Sequence, residues 1–183
     1  MAAAFHSVST RTAGFATISQ SGLQPGTKFL TAIWMFIGGS PGGTAGGVKT
    51  TTIAMLLLTC ANVIFGKRDT ECFGRRIPES NFRTGFSVVV VAFLFLLTGL
   101  TLLTVFEPEM DFLSLLYESV SAIGTVGLTA DVTSYLSSAS KIVIMCLMYI
   151  GRLGPVTLAL IFGTRDNMKE RIRKLPEQRI LVG

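Results

Sequence analysis

Tyr117-Glu118-Ser119-Val120-Ser121-Ala122-Ile123-Gly124-Thr125-Val126-Gly127-Leu128-Thr129 is the stretch whose reading decides the fold, because the chain contains it twice. The earlier copy is Phe5-His6-Ser7-Val8-Ser9 followed by Thr12-Ala13-Gly14-Phe15. The two align after one gap: Ser7 to Gly14 is seven residues and Ser119 to Gly127 is eight. Each unit reads short helix, T-x-G-[FL], short polar loop, apolar span. An apolar span also precedes the second copy; within this chain, none precedes the first. As a helix, residues 112–124 would be about 20 Å long, too short for a bilayer core of about 30 Å. Both ends of that helix then face the same side, so it is re-entrant, with its C-terminus aimed into the membrane. Irregular backbone at that depth survives only where it lines a polar cavity or is packed in protein. The alternative is a surface turn after a soluble helix. Two copies with the same upstream S-V-S argue against it.

Composition agrees with a membrane setting. Of 183 residues, 49% are hydrophobic and 15% charged, against about 25% charged in soluble domains; the mean hydropathy is +0.57. This excludes a disordered chain and argues against a soluble enzyme. Three cysteines, with Cys60 and Cys146 in apolar runs, make no disulfide framework, and His6 as the single histidine makes a histidine-rich metal site unexpected. Residues 86–105 carry no charge, residues 142–162 one arginine, and residues 48–65 one lysine. A shorter run at 27–37 ends in glycine. A soluble protein of this size could hardly bury such lengths on every face, so spans are expected rather than core helices. Residues 1–6 lack the basic-then-apolar pattern of a secretory leader, and none is expected.

Charge fixes an expected orientation. Lys67, Arg68, Arg75, Arg76 and Arg83 lie before one span; Arg165, Lys169, Arg171, Arg173, Lys174 and Arg179 follow another. Between them Glu107, Glu109, Asp111, Glu118 and Asp131 occur without any lysine or arginine. The positive-inside rule puts the first loop and the C-terminal tail in the cytoplasm and the acidic stretch outside.

A helix C-terminus aimed into a membrane cavity carries about half a negative charge and favours a cation there. The T-x-G-x that follows supplies carbonyls able to replace an ion's water. Glycine suits this position because it reaches backbone angles other residues resist and has no side chain to block a lumen. The filter residues expected are therefore Thr12, Ala13, Gly14, Phe15, Thr125, Val126, Gly127 and Leu128, with a cation at their carbonyls. A second irregular element is Gly38-Gly39-Ser40-Pro41-Gly42-Gly43-Thr44-Ala45-Gly46-Gly47. A continuous helix through it would cost about 1 kcal/mol per glycine and about 3 for Pro41, so the helix breaks there. About ten helical residues precede the break, which puts it roughly 15 Å into the membrane, under the filter. The following Lys49-Thr50-Thr51 imitates a phosphate-binding loop, but Val48 separates Gly47 from Lys49, and that motif needs G-K-[ST] in succession. Arg152 stands ten residues from each end of the 142–162 run. An intramembrane arginine must face a cavity or a partner and is a functional residue by default. Arg11, just before the first filter, is expected behind the filter, held by carbonyls or by an acid such as Glu118.

At these residues the chain resembles a known family. Ser9-Thr10-Arg11-Thr12-Ala13-Gly14-Phe15 and Ser121-Ala122-Ile123-Gly124-Thr125-Val126-Gly127-Leu128 resemble the third and fourth filter segments of the Trk/Ktr/HKT potassium transporter superfamily. Residues 36–50 are similar to the break in its third inner helix, and Gly151-Arg152-Leu153-Gly154-Pro155 to the middle of its last. Arg179-Ile180-Leu181-Val182-Gly183 resembles the short ending of the Ktr branch, KtrB-like membrane subunits in particular. The resemblance implies a pore of four helix–pore-loop–helix repeats, each giving one filter glycine, that takes K+ through the bacterial inner membrane. It also implies a homodimer of the complete subunit on a cytoplasmic KtrA- or KtrC-type nucleotide-binding regulatory ring. In that family Gly38 to Gly47 would be an intramembrane gating loop, against the alternative of a permanent kink. Arg152 would project below the filter and gate with it, or would bond that loop's carbonyls.

The expected fold is all-α and integral to the membrane, with helix–pore-loop–helix repeats (one complete, one partial) and a Gly-rich broken inner helix. Residues 1–66 form the partial third repeat, 67–82 a cytoplasmic loop, 83–165 the fourth repeat, and 166–183 a cytoplasmic tail. The chain is expected to be the C-terminal half of a longer pore, multi-pass in the cell membrane. No enzyme chemistry, organic cofactor or nucleic-acid partner is expected, and Na+ would enter as a coupling or activating ion. Two rivals remain: a secondary transporter with a broken-helix midplane site, and a non-conducting membrane interaction component.

Overall fold

The computed structural model describes residues 1–43, 45–66, 71–72 and 75–154. Regular structure among them is helical apart from one antiparallel pair of two-residue strands, β1 (Glu71–Cys72) and β2 (Arg75–Arg76). Strands so short leave no periodicity in a sequence, and the sequence assigns none to 67–82. The helices are α1 (Ala2–Ser9), α2 (Pro25–Phe36), α3 (Thr50–Ile64), α4 (Glu79–Phe106), α5 (Phe112–Ile123) and α6 (Ser138–Leu153), with a 3-10 turn at Thr133–Tyr135.

Each helix starts where local chemistry allows it. α2 has proline in its first turn, where the missing N–H costs nothing. α4 begins behind Pro78 and carries an exposed Glu79–Arg83 pair one turn apart at 3.2 Å. At 28 residues it is about 42 Å long. It is the one helix among the described residues long and apolar enough to cross a membrane. Asp111 caps α5 by accepting from the Ser114 N–H at 3.1 Å. Ser137 caps α6 by accepting from the Ser140 N–H at 3.3 Å.

The centre of the molecule is α5. Nine of its twelve residues are buried, and it packs on α2, α4 and α6, while α4 also packs on α3 and α6. Close approach is arranged by small residues. A Cβ on Gly151 of α6 would stand 2.1 Å from the Ile123 carbonyl oxygen of α5, and one on Gly99 of α4 would stand 2.6 Å from Leu147. The outward faces are apolar: Phe29, Ile33, Phe93, Leu94, Met145 and Tyr149 are all exposed. Water-facing surfaces rarely carry so much contiguous apolar area.

The described part of α6 ends at Leu153, and Gly154 leaves the helix with φ 78°. The second half of the 142–162 run, including Pro155, the 166–183 tail, Thr44, and the basic residues Lys67 and Arg68 lie outside the described residues. Arg152 is accordingly in the last turn of described helix, because a glycine in the left-handed region ends an α-helix.

A contact distant in sequence joins the C-terminal end of α4 to the N-terminal end of α6. Glu107 Oε1 accepts from the Ser137 N–H at 2.7 Å and from the Ser140 hydroxyl at 2.8 Å. The Ser137 N–H, the two serine hydroxyls and nearby Lys141 hold the Glu107 carboxyl below its usual value against an opposing desolvation. A carboxyl lowered in the folded state adds stability above its unfolded value and loses it as pH falls through the lowered one. Glu107→Gln is therefore expected to lower the melting temperature in detergent at pH 7. The gap to the unsubstituted protein should close as pH falls below the ordinary carboxylate range; a gap independent of pH would contradict this.

Candidate functional site

The two repeated segments fold alike. Ser9 ends α1 and Ser121 lies at the end of α5, and each accepts from the residue before the loop glycine. Ala13 N–H donates to the Ser9 carbonyl at 3.1 Å, and Val126 N–H to the Ser121 carbonyl at 2.9 Å. Folding the chain back this way forces an unusual backbone. Thr12 has φ 67° and Thr125 φ 52°, while Gly14 has φ 76° and Gly127 φ 90°. Left-handed backbone is ordinary for glycine, but for a β-branched residue it is an outlier that costs about 1–3 kcal/mol. Ala13 and Val126, between them, do not share it. The same strained pattern thus occurs in both copies.

The loops also meet. A Cβ on Gly14 would lie 2.3 Å from the Val126 carbonyl oxygen, and the Gly14 Cα lies 3.9 Å from the Cβ position of Gly127. Val126 and Leu128 are buried at 4% and 2%, whereas Phe15 is 71% exposed. Ser9 still holds its loop, donating its hydroxyl to the Phe15 carbonyl at 2.5 Å.

Residues 38–43 and 45–47 lie against both loops. Gly46 N–H donates to Thr125 Oγ1 at 3.0 Å, and the Cβ position of Gly39 is 4.0 Å from Thr12 Oγ1. The base of this segment is closed by Gly38 N–H to the Val48 carbonyl at 2.9 Å, Val48 N–H to the Phe36 carbonyl at 3.3 Å, and Thr50 N–H to the Gly39 carbonyl at 3.3 Å. Ile37 and Val48 form a parallel bridge, so the chain runs the same way on entering the segment as on leaving it. Lys49 adds its ammonium to the Ala45 carbonyl. Gly38, Gly46 and Val48 are buried, and Ser40, Pro41, Gly42 and Gly43 at the tip are exposed.

One sequence expectation changes. Arg11 does not pair with Glu118: its guanidinium lies 4.9 Å from the centre of the Trp34 ring, a contact worth about 0.5–1 kcal/mol when exposed. Glu118, 5% exposed, instead accepts from Thr129 Oγ1, from Ala130 N–H at 3.0 Å and from Thr133 Oγ1 at 3.1 Å. Sequence reading also missed Gln20, whose side-chain oxygen accepts from the Tyr117 hydroxyl at 2.8 Å with both residues buried. The available signal was a tyrosine and a glutamate inside an otherwise small and apolar helix. Arg152 is exposed and follows Gly151, which lies against the Ile123 carbonyl at the end of α5.

Comparison with known proteins gives a consistent result. The family model described as TrkH, a cation transport protein, matches residues 1–171. The chain is 36% identical over 98% of its length to the Ktr system potassium uptake protein D of Bacillus subtilis. It is 36% identical over 98% to the potassium/sodium uptake protein NtpJ of Enterococcus hirae, and 31% identical over its full length to the Ktr system potassium uptake protein B of Vibrio alginolyticus. It spans only 39%, 40% and 39% of these relatives.

Gly14 combines a left-handed φ with a space that no Cβ fits. Gly14→Ala is expected to destabilise by about 1–3 kcal/mol through backbone strain and overpacking, read as a fall in melting temperature. Gly26→Ala, with nothing near its Cβ position, is the control. Equal behaviour of the two would refute the close approach of the loops.

Proposed function

The chain belongs to the TrkH family of cation transport proteins, and from that premise we propose that it supplies two filter loops of a potassium-uptake pore. The family is membrane-embedded and made of transporters, not enzymes. The observation that carries the reading is the shared left-handed threonine and glycine in two loops that touch. Strain kept in the same place twice is strain with a use. Alternation of backbone hand departs from the extended strand, whose successive residues face opposite sides. It turns carbonyls of Thr12, Ala13 and Gly14, and of Thr125, Val126, Gly127 and Leu128, toward a dehydrating K+, while the Phe15 carbonyl closes the first loop by taking the Ser9 hydroxyl.

The helices add electrostatics. α1 and α5 both run into a filter loop with their C-terminal ends, where the helix dipole is negative. A cation at the loops gains from both. α2 and α3 then read as halves of one inner helix, with residues 38–47 extruded as a loop that gates the path below the filter. The shared chain direction at Ile37 and Val48 supports this, as does the bond from Gly46 to Thr125, which ties loop to filter. Arg152 acts from the last inner helix as a fixed positive charge that slows K+ until the gate moves.

Around this core the proposal is a multi-pass protein of the bacterial plasma membrane with α4 as the outer helix of a complete repeat. The basic 67–82 segment and the C-terminal tail lie in the cytoplasm. The complete subunit would pair with a second copy on a nucleotide-binding regulatory ring, and Na+ would serve as coupling or activating ion. The two repeats enter from the same side in the same direction, which disfavours an inverted-repeat transporter.

In the full-length protein, Gly127→Ser should lower K+ over Na+ preference about tenfold, the scale of 1.4 kcal/mol. Competition between the two ions in uptake assays on cells lacking their own K+ uptake reads this directly. Unchanged competition would end the filter assignment. Arg152→Ala should raise the maximal rate of K+ uptake without altering preference; a rate identical to the unsubstituted protein would remove the arginine from the gate.

A further inference from the structure

Two adjacent residues of α5 reach in different directions and hold two different loops. Neighbours on a helix point about 100° apart. Tyr117 reaches across 97 residues of sequence to Gln20, in the arm that follows the first filter. Glu118 reaches to residues 129–133, the arm that follows the second. We propose that Tyr117 and Glu118 are positioning residues that fix the outer arms of both filter loops from one helix and thereby set the pore's ion selectivity. This rests on the filter reading given above and names what keeps that filter in shape.

The Tyr117 bond is fully enclosed. Tyr117 is 0% and Gln20 2% exposed. The Gln20 amide is oriented from its other end, where Nε2 donates to the Ile18 carbonyl at 2.7 Å. Its oxygen is thus committed to the tyrosine. Buried hydrogen bonds are strong in such surroundings, and an unpaired buried acceptor costs more than the bond itself contributes. Glu118 is buried too, and its two oxygens take three donors. The donors bracket Asp131, itself left-handed at φ 64°, so the carboxylate closes a strained turn.

The first copy does not do the same. The residues matching Tyr117 and Glu118 are Phe5 and His6. Phenylalanine has no hydroxyl to donate, and His6 meets Thr31 of α2 at 3.4 Å instead. The first arm is held by the second repeat's helix. A filter works only while its carbonyls stay within a fraction of an ångström of the ion's needs. Loosening either arm should therefore degrade discrimination before it degrades throughput.

The test uses the full-length protein and three readouts: membrane abundance, maximal K+ uptake, and K+ over Na+ preference. Tyr117→Phe should lower preference about fivefold, the scale of one hydrogen bond, while maximal uptake changes little. Thr133→Val, which removes one donor to Glu118, should lower preference in the same way. Gln20→Met combined with Tyr117→Phe should be no worse than Tyr117→Phe alone, since both remove one bond. Gly127→Ser is the reference. If it shifts preference and neither Tyr117→Phe nor Thr133→Val does, the positioning role is overturned and the filter reading stands. If Gly127→Ser shifts nothing, the filter reading falls and takes this inference with it. If Tyr117→Phe does not reach the membrane, Thr133→Val decides: a lowered preference supports the role, an unchanged one overturns it.

Discussion

A threonine with a left-handed backbone stays there only because its surroundings leave it no better choice. Thr12 and Thr125 both sit in that position, and most of the central architecture serves to keep them there. The carbonyls of Ser9 and Ser121 draw the chain back on itself just after each threonine. Gly46 bonds the side chain of Thr125 from below. α5, buried on nearly every face, provides a rigid frame against which the strain is balanced. Take away the frame and the loops would relax to ordinary turns.

The two copies share this strain but not their supports. The second has a long helix before it, a carboxylate behind it and apolar residues packed on its sides. The first has a short eight-residue helix, a serine bond to Phe15 and a tyrosine borrowed from the other repeat. The helix of the second copy thus holds both loops. That division also explains why α5 touches so much of the molecule while α1 touches little.

Much of the site was legible before any coordinates, because repeats and glycine patterns record backbone needs directly. The S-V-S and T-x-G pair located both loops, and the glycine run located the interruption between α2 and α3. The start of α5 at Phe112 matched the 112–124 reading, but the apolar run alone put the next span at 142, and the Ser137 cap starts α6 four residues earlier, at Ser138. What escaped was pairing over distance. Nothing in the sequence ties Gln20 to Tyr117 or Glu107 to Ser137, since a hydrogen bond between side chains far apart leaves no periodic trace. Arg11 was expected to meet carbonyls or an acid because charge suggests polar partners; a lone tryptophan on a neighbouring helix offers an aromatic face instead. The antiparallel pair at 71–76 was too short to announce itself.

The parallel bridge between Ile37 and Val48 has a wider consequence. Because the chain runs in the same direction at Ile37 as at Val48, the ends of α2 and α3 nearest the intervening segment are tied together at its neck, closed by Gly38, Val48 and Thr50. The tip from Ser40 to Gly43 is exposed beyond that neck. Descendants of such a protein are free to lengthen, shorten or rewrite that tip and so retune its response, while the helices that carry it keep their places.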